Sequence, residues 1–177
     1  MAGREKDERL LAFERVVDAF EGALLRYATR LTNSASSAED VVQNAFVKFI
    51  RTWKGPYEAT QEVSAWLYRV VHNEAVDFVR NEARRQRLHA EHGMECVAQD
   101  SPPPDPGDSA LDAARALDGL SDRERELVVL KVYEEKSYKE IAEITGLTVS
   151  NVGVILHGAM KKLAARLQNP RKEGGDE

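Results

Sequence analysis

Apolar residues recur along most of this chain in steps of three and four, the period of an α-helix with one buried face. Phe13, Val17, Phe20, Leu24, Tyr27 and Leu31 predict a helix over residues 10–31, closed by Thr32-Asn33-Ser34. Ser36, with Glu39 three residues on, predicts the capped start of a second helix. Val42, Phe46, Phe49 and Trp53 would face the core from it, and Asp40, Gln43, Asn44 and Lys48 would lie on the other side. Lys54-Gly55-Pro56 breaks this helix, and a loop with one aromatic residue, Tyr57, follows. A third helix is predicted from about Glu62–Ser64 to about Arg87. Leu67, Val70, Val71, Ala75 and Phe78 form its inward stripe; Arg69, His72, Asn73, Asp77, Arg80, Arg84 and Arg87 point outward.

The periodicity fails from His89 to about Asp112, where Pro, Asp and Ser accumulate and Pro102-Pro103-Pro104 cannot be helix interior. It resumes with Leu111, Ala114, Leu117 and Leu120. Ser121 and Glu124 then cap a helix carrying Leu127, Val128, Leu130, Val132 and Tyr133. Ser137 and Glu140 form a further capping box ahead of Ile141, Ala142 and Ile144. Gly146 ends that helix, since glycine accepts the left-handed conformation a helix C-terminus needs. Thr148 or Ser150 can cap the last helix, whose apolar positions are Val152, Ile155, Leu156, Ala159 and Leu163. Small Ala142, then Gly146, then Val152 is the order of a helix-turn-helix, whose second helix usually enters a DNA major groove. The expected fold class is therefore all-α: two small helical domains, residues 1–89 and 113–169, joined by a flexible acidic Pro-rich linker over 90–112 and followed by a frayed tail, 170–177.

Charge changes this picture in one respect. The net charge of −5 is unevenly spread: 14 basic against 13 acidic residues in 1–90, 3 against 10 in 91–126, and 8 against 7 in 127–177. Neither flanking domain is basic enough to grip DNA unaided, because phosphate neutralisation dominates non-specific affinity. A partner that helps this chain to DNA is expected. Arg80, Arg84 and Arg87 share a helix face with Arg85 beside them. They can track a phosphate backbone or simply favour the helix C-terminus.

No apolar run is long enough to span a bilayer, and the first residues lack the apolar core of a signal peptide. The single cysteine, Cys96, fits a reducing compartment. A cytoplasmic protein with no direct membrane insertion is expected. His89, His92 and Cys96 are zinc-ligand types without an obvious fourth ligand nearby, so no metal or cofactor is expected. No phosphate-binding Gly loop or acid/base constellation occurs, so neither catalytic residues nor a small-molecule substrate is expected.

AEDVVQNAFVKFIRTW, SAWLYRVVHNEAVDFVRNEARR and LSDRERELVVLKVYEEKSYKEIAEITGLTVSNVGVILHGAMKKL, in this order, resemble bacterial RNA polymerase sigma factors of the small extracytoplasmic-function type, over nearly the whole chain except the tail. The resemblance implies an alternative sigma factor, with core RNA polymerase and promoter DNA as partners and an anti-sigma factor, commonly membrane-anchored, holding it in check. It places Asp40, Gln43, Phe46 and Lys48 in the helix that docks on the polymerase's largest subunit. Trp66, Asn73, Asp77 and Arg80 match the family's pattern of minus-ten recognition, with Trp66 partly core and Arg84 further along the same face. The loop of residues 54–64 would capture a flipped base, on which Tyr57 could stack. Residues 91–126 would thread the polymerase's RNA path or serve as a solubilising tether. In the recognition helix, Gly153, Ile155, Gly158 and Met160 stand where the family commonly carries Arg or Lys. Thr148, Ser150, Asn151, His157 and Lys161, with Lys162 beside them, are left to meet the minus-thirty-five element, helped by DNA shape. Alternatively, that contact is weak, and the first domain or an activator dominates. His72 and Asn44 also depart from the family's usual Arg and Glu. A two-domain helix-turn-helix regulator that opens no promoter is the other reading, but it has no use for the first domain's two polar faces.

Overall fold

The computed structural model describes residues 2–91, 117 and 119–168. Its helices are α1 (Ala2–Thr32), α2 (Ala35–Thr52), α3 (Gln61–Glu91), α4 (Asp122–Val128), α5 (Tyr138–Thr145) and α6 (Val149–Gln168), with a π-helical turn, Val129–Tyr133, continuing α4. No strand occurs among the described residues. The chain divides into two compact units, one built on α1–α3 and the other on α4–α6. No single described helix is long and apolar enough to cross a membrane. The expected linker beyond Glu91 and the tail from 170 lie outside the described residues, as do the side chains of His89, His92 and Cys96.

In the first unit α1, α2 and α3 all pack on one another. The core is Val16, Leu24, Tyr27, Ala28 and Leu31 from α1, then Ala38, Val41, Val42, Ala45, Phe46 and Phe49 from α2, then Val63, Leu67, Tyr68, Val71 and Ala75 from α3. The chain reverses between α1 and α2 in two residues, because Asn33 takes a positive φ of 54°. That moves the cap forward from the expected Ser36. Ser34 is extended, and its hydroxyl accepts from the Ser37 backbone N–H at 3.3 Å. Thr60 starts α3, its hydroxyl accepting from Val63 N–H at 3.3 Å.

His72 corrects the sequence reading. It was expected on the exposed side of α3, yet it is only 3 % exposed. Its Nδ1 shares a buried hydrogen bond of 2.9 Å with the Tyr27 hydroxyl. The reason is that α3 packs against two helices, so its buried stripe is wider than one line of apolar positions and takes in the neighbour of Val71.

The second unit is small and relies on its caps. Ser121 with Glu124, and Ser137 with Glu140, form reciprocal capping boxes at α4 and α5, as the sequence indicates. Leu127, Val128, Val129 and Leu130 are buried, as are Ile141, Val152, Leu156 and Ala159. Val132 and Tyr133 were expected to join them but are exposed. The π-turn bonds Glu134 N–H to the Val129 carbonyl at 3.2 Å, and this wider turn carries the last residues off the buried face. Gly146 ends α5 at φ 72°, its N–H donating to the Ala142 carbonyl at 2.9 Å. The break between α5 and α6 bends the chain by 104°, within the range of a helix-turn-helix.

Glu124 also ties α6 to α4, because Lys162 Nζ lies 2.8 Å from its Oε1. The Lys162 ammonium, and then the Ser121 backbone N–H, hold the Glu124 carboxyl below the ordinary carboxylate range. A carboxylate depressed in the folded state stabilises above its unfolded pKa, and that stability is lost as pH falls through the folded value. Glu124→Gln is therefore expected to cost about 1 kcal/mol at pH 7. In urea melts the gap between parent and variant should close by pH 3; an equal gap at both values would show that the charge is irrelevant. A Cβ on Gly146 would meet nothing within 4 Å, so the cost of Gly146→Ala is all backbone, about 1–2 kcal/mol. Helix circular dichroism should register it, while the fluorescence of Trp53 and Trp66, both in the first unit, should not move.

Candidate nucleic-acid interface

Three exposed polar faces stand on the two cores. On α2, Asp40, Gln43, Asn44 and Lys48 are all exposed on one side, with Val47 and Ile50 exposed beside them. An exposed polar face interrupted by two large apolar residues suits a protein partner better than water alone. Phe46, placed by its spacing on the core side of this helix, is 7 % exposed and packs edge-on against Phe13 at 6.1 Å. It therefore supports the face from beneath instead of forming its surface. Lys48 Nζ pairs with Glu74 of α3, joining the α2 face to the next one. Both groups are partly exposed, so the pair contributes at most about 1 kcal/mol.

On α3, Asn73, Asp77, Arg80 and Arg84 recur at helical spacing and are all exposed. Arg85 is turned toward Glu82, 3.3 Å away. The cationic end of this face thus rests on Arg80 and Arg84, with Arg87 exposed one turn further on. Trp66 is half-buried, as expected, and packs on Phe49 at 5.5 Å and Trp53 at 6.0 Å.

The loop between α2 and α3 is tied down by aromatic packing. Trp53 closes α2, stacks on Phe49 at 5.5 Å, and donates its indole N–H to the Pro56 carbonyl at 3.1 Å. A Cβ at Gly55 would sit 3.0 Å from the Trp53 ring nitrogen, close enough that the indole would have to shift. Tyr57 packs on Phe49 at 5.1 Å and on Phe13 at 6.2 Å. Its hydroxyl accepts from Arg9 Nη2 at 2.8 Å, and the Arg9 guanidinium lies 5.0 Å from its ring centre. Tyr57, expected as a stacking platform for an unpaired base, therefore has its ring engaged in the cluster.

On α6, Ser150, Asn151, His157 and Lys161 are exposed, as expected. Thr148 resolves the open choice of cap: its hydroxyl accepts from Asn151 N–H at 3.2 Å. Lys162 is engaged by Glu124. Of the positions where Arg or Lys was absent, Ile155 is half-buried next to the core stripe, whereas Met160 is exposed. Among the described residues, no group of three His, Cys, Asp or Glu could hold a metal ion.

Comparison with known proteins bears on these faces. The family model for Sigma-70 region 2 matches residues 16–85, and that for Sigma-70, region 4 matches residues 110–163. The ECF RNA polymerase sigma factor SigL of Mycobacterium tuberculosis (strain ATCC 25618 / H37Rv) is 32% identical over 157 residues, covering 85% of this chain and 86% of the relative. SigW of Bacillus subtilis (strain 168), another ECF RNA polymerase sigma factor, is 26% identical over 169 residues, covering 89% and 90%. Among solved structures, CnrH in complex with the cytosolic domain of CnrY superposes with a TM-score of 0.62 at 25% identity, covering 90% of this chain and 96% of that one. The sigma factor RpoE in complex with the anti-sigma factor NepR from Bartonella quintana gives 0.65 at 24% identity, covering 95% and 99%, and so bears on the fold.

Proposed function

The chain belongs to the extracytoplasmic-function sigma factors of the sigma-70 family, and from that premise we propose how its three polar faces divide the work of starting transcription. As an alternative sigma factor it binds core RNA polymerase and directs promoter recognition. The α2 face of Asp40, Gln43 and Lys48, with Phe46 beneath it, docks on the polymerase. The α3 face of Asn73, Asp77, Arg80 and Arg84 meets the minus-ten DNA. The α6 face of Ser150, Asn151, His157 and Lys161, with Thr148 at its cap, meets the minus-thirty-five element. The observation that carries this division is that each of these polar residues except Phe46 is exposed on one side of a helix whose other side is core.

Trapping unstacked bases costs a few kcal/mol per step and breaks no covalent bond. Polar side chains on a fixed frame can supply it without nucleotide hydrolysis. RpoE of Bartonella quintana is held by an anti-sigma factor, and a partner of that kind fits the exposed α2 face here. The site of action is the cytoplasm, where the polymerase works.

Purified protein, core polymerase and fragmented genomic DNA should together give discrete run-off starts that need this chain. Their absence despite core binding would overturn the division of DNA contacts. Asp40→Ala with Gln43→Ala should weaken core binding about tenfold, roughly 1.4 kcal/mol, with helical content intact; unchanged affinity would remove the α2 assignment. Arg80→Ala with Arg84→Ala should flatten the log–log salt dependence of promoter binding by about one to two units. Asn151→Ala should reduce initiation only at promoters that need the upstream element, whereas uniform loss would mean that the domain had unfolded.

A further inference from the structure

Helix α6 buries Val152, Leu156 and Ala159. Ser150, Val154, His157 and Lys161 follow at steps of four, three and four, so they form one stripe on the opposite side, and all four are exposed. Val154 is 73% exposed, the most exposed large apolar side chain among the described residues. The fold gives no reason for it. It touches no part of the buried stripe, and a β-branched residue on a solvent face lowers helix propensity relative to Ala, Lys or Glu.

Its neighbours leave it standing clear. Gly153 precedes it, and Gly158 lies one turn on. A Cβ at Gly153 would come no nearer than 3.7 Å to the Tyr138 ring, and one at Gly158 no nearer than 4.0 Å to Glu124 Oε1. Both are ordinary contact distances, so packing within the protein does not require glycine at either place. Neither glycine carries a side chain that could screen Val154 from a ligand.

Ser150, Asn151 and His157 can exchange hydrogen bonds with base edges or phosphates; Val154 cannot. The apolar feature that a major groove offers is the thymine 5-methyl group, which cytosine lacks. We propose that Val154 is a specificity-determining residue that reads a thymine methyl group in the upstream promoter element. The inference rests on α6 being the helix that enters that element, and it assigns the centre of its exposed stripe an apolar readout.

The test uses the complex of the full chain with core polymerase. Random duplexes are selected on that complex, and one enriched sequence is resynthesised with each thymine replaced in turn by deoxyuridine, which removes only the methyl. Binding of the parent should fall about fourfold at one upstream position, the effect of one methyl group left unburied. Val154→Ala, with its helical content checked, should bind the unmodified duplex about fourfold more weakly and ignore the deoxyuridine at that position. Indifference of the parent to every substitution, while it still selects upstream sequence, would overturn the proposal and leave the function intact. Full methyl sensitivity in Val154→Ala would overturn it as well. Selection of a minus-ten sequence with no upstream preference would overturn it together with the assignment of α6, and would leave the sigma activity standing.

Discussion

The side chain on which the first unit depends is Phe49. It is fully buried, and its ring meets Phe13 of α1 at 6.5 Å, Trp53 at the end of α2, Tyr57 of the loop, and Trp66 of α3. Aromatic contacts of this kind each add about 0.5–1.5 kcal/mol beyond the area they bury. Their larger consequence is positional. One ring fixes where α2 ends, how the loop returns, and where α3 begins. The polar faces of α2 and α3 stand on the same packed core, and the Lys48–Glu74 pair joins their edges. A face that has to present several polar groups in register gains from such a frame, because less side-chain and loop freedom remains to be lost on binding.

The second unit is built by other means. Its α4 and α5 have 7 and 8 residues, lengths at which an isolated helix is not stable in water. Reciprocal capping boxes satisfy the first backbone N–H groups of each, Gly146 turns the chain without a Cβ penalty, and Lys162 fastens the long α6 to the cap of α4. The caps thus help to set the angle at which the outer stripe of α6 is offered. They lie at the edges of the core, and none of the four residues of that stripe is buried.

The capping boxes at Ser121 and Ser137, the turn at Gly146 and the buried positions of α6 were legible because each rests on residues at most four apart. What was not legible depended on partners distant in sequence. His72 is buried because Tyr27 stands opposite it, 45 residues away. Tyr57 is engaged because Arg9 reaches it across 48. Ser34 replaces Ser36 as a cap because Asn33 adopts a positive φ that no periodicity announces. Val132 and Tyr133 leave the core because a π-turn, not an α-turn, continues α4. For the candidate site, the exposed polar residues of α2, α3 and α6 could be read from helical spacing. The depth of Phe46 could be read in the same way, from its place in the apolar stripe of α2.

The near-neutral charge of both flanking segments has a consequence for how choice is made among promoters. A DNA reader with a strongly basic surface binds everywhere first and selects afterwards. Here the phosphate term is small, so affinity has to come from the polymerase, and these faces can spend their contacts on discrimination. A well-made bidentate base contact is worth about 1–3 kcal/mol, and α6 carries no arginine on its outer stripe to make the commonest one. If α6 meets the upstream element as proposed, its share of the discrimination is therefore smaller and is made of hydrogen bonds from short side chains and apolar contact. On the proposed division of contacts, the larger share falls to α3, whose Asn73, Asp77, Arg80 and Arg84 are exposed along one face. On that proposal, the factor selects promoters chiefly at the step where strands separate, because that is where the polar face of α3 meets bases that only an opened duplex exposes.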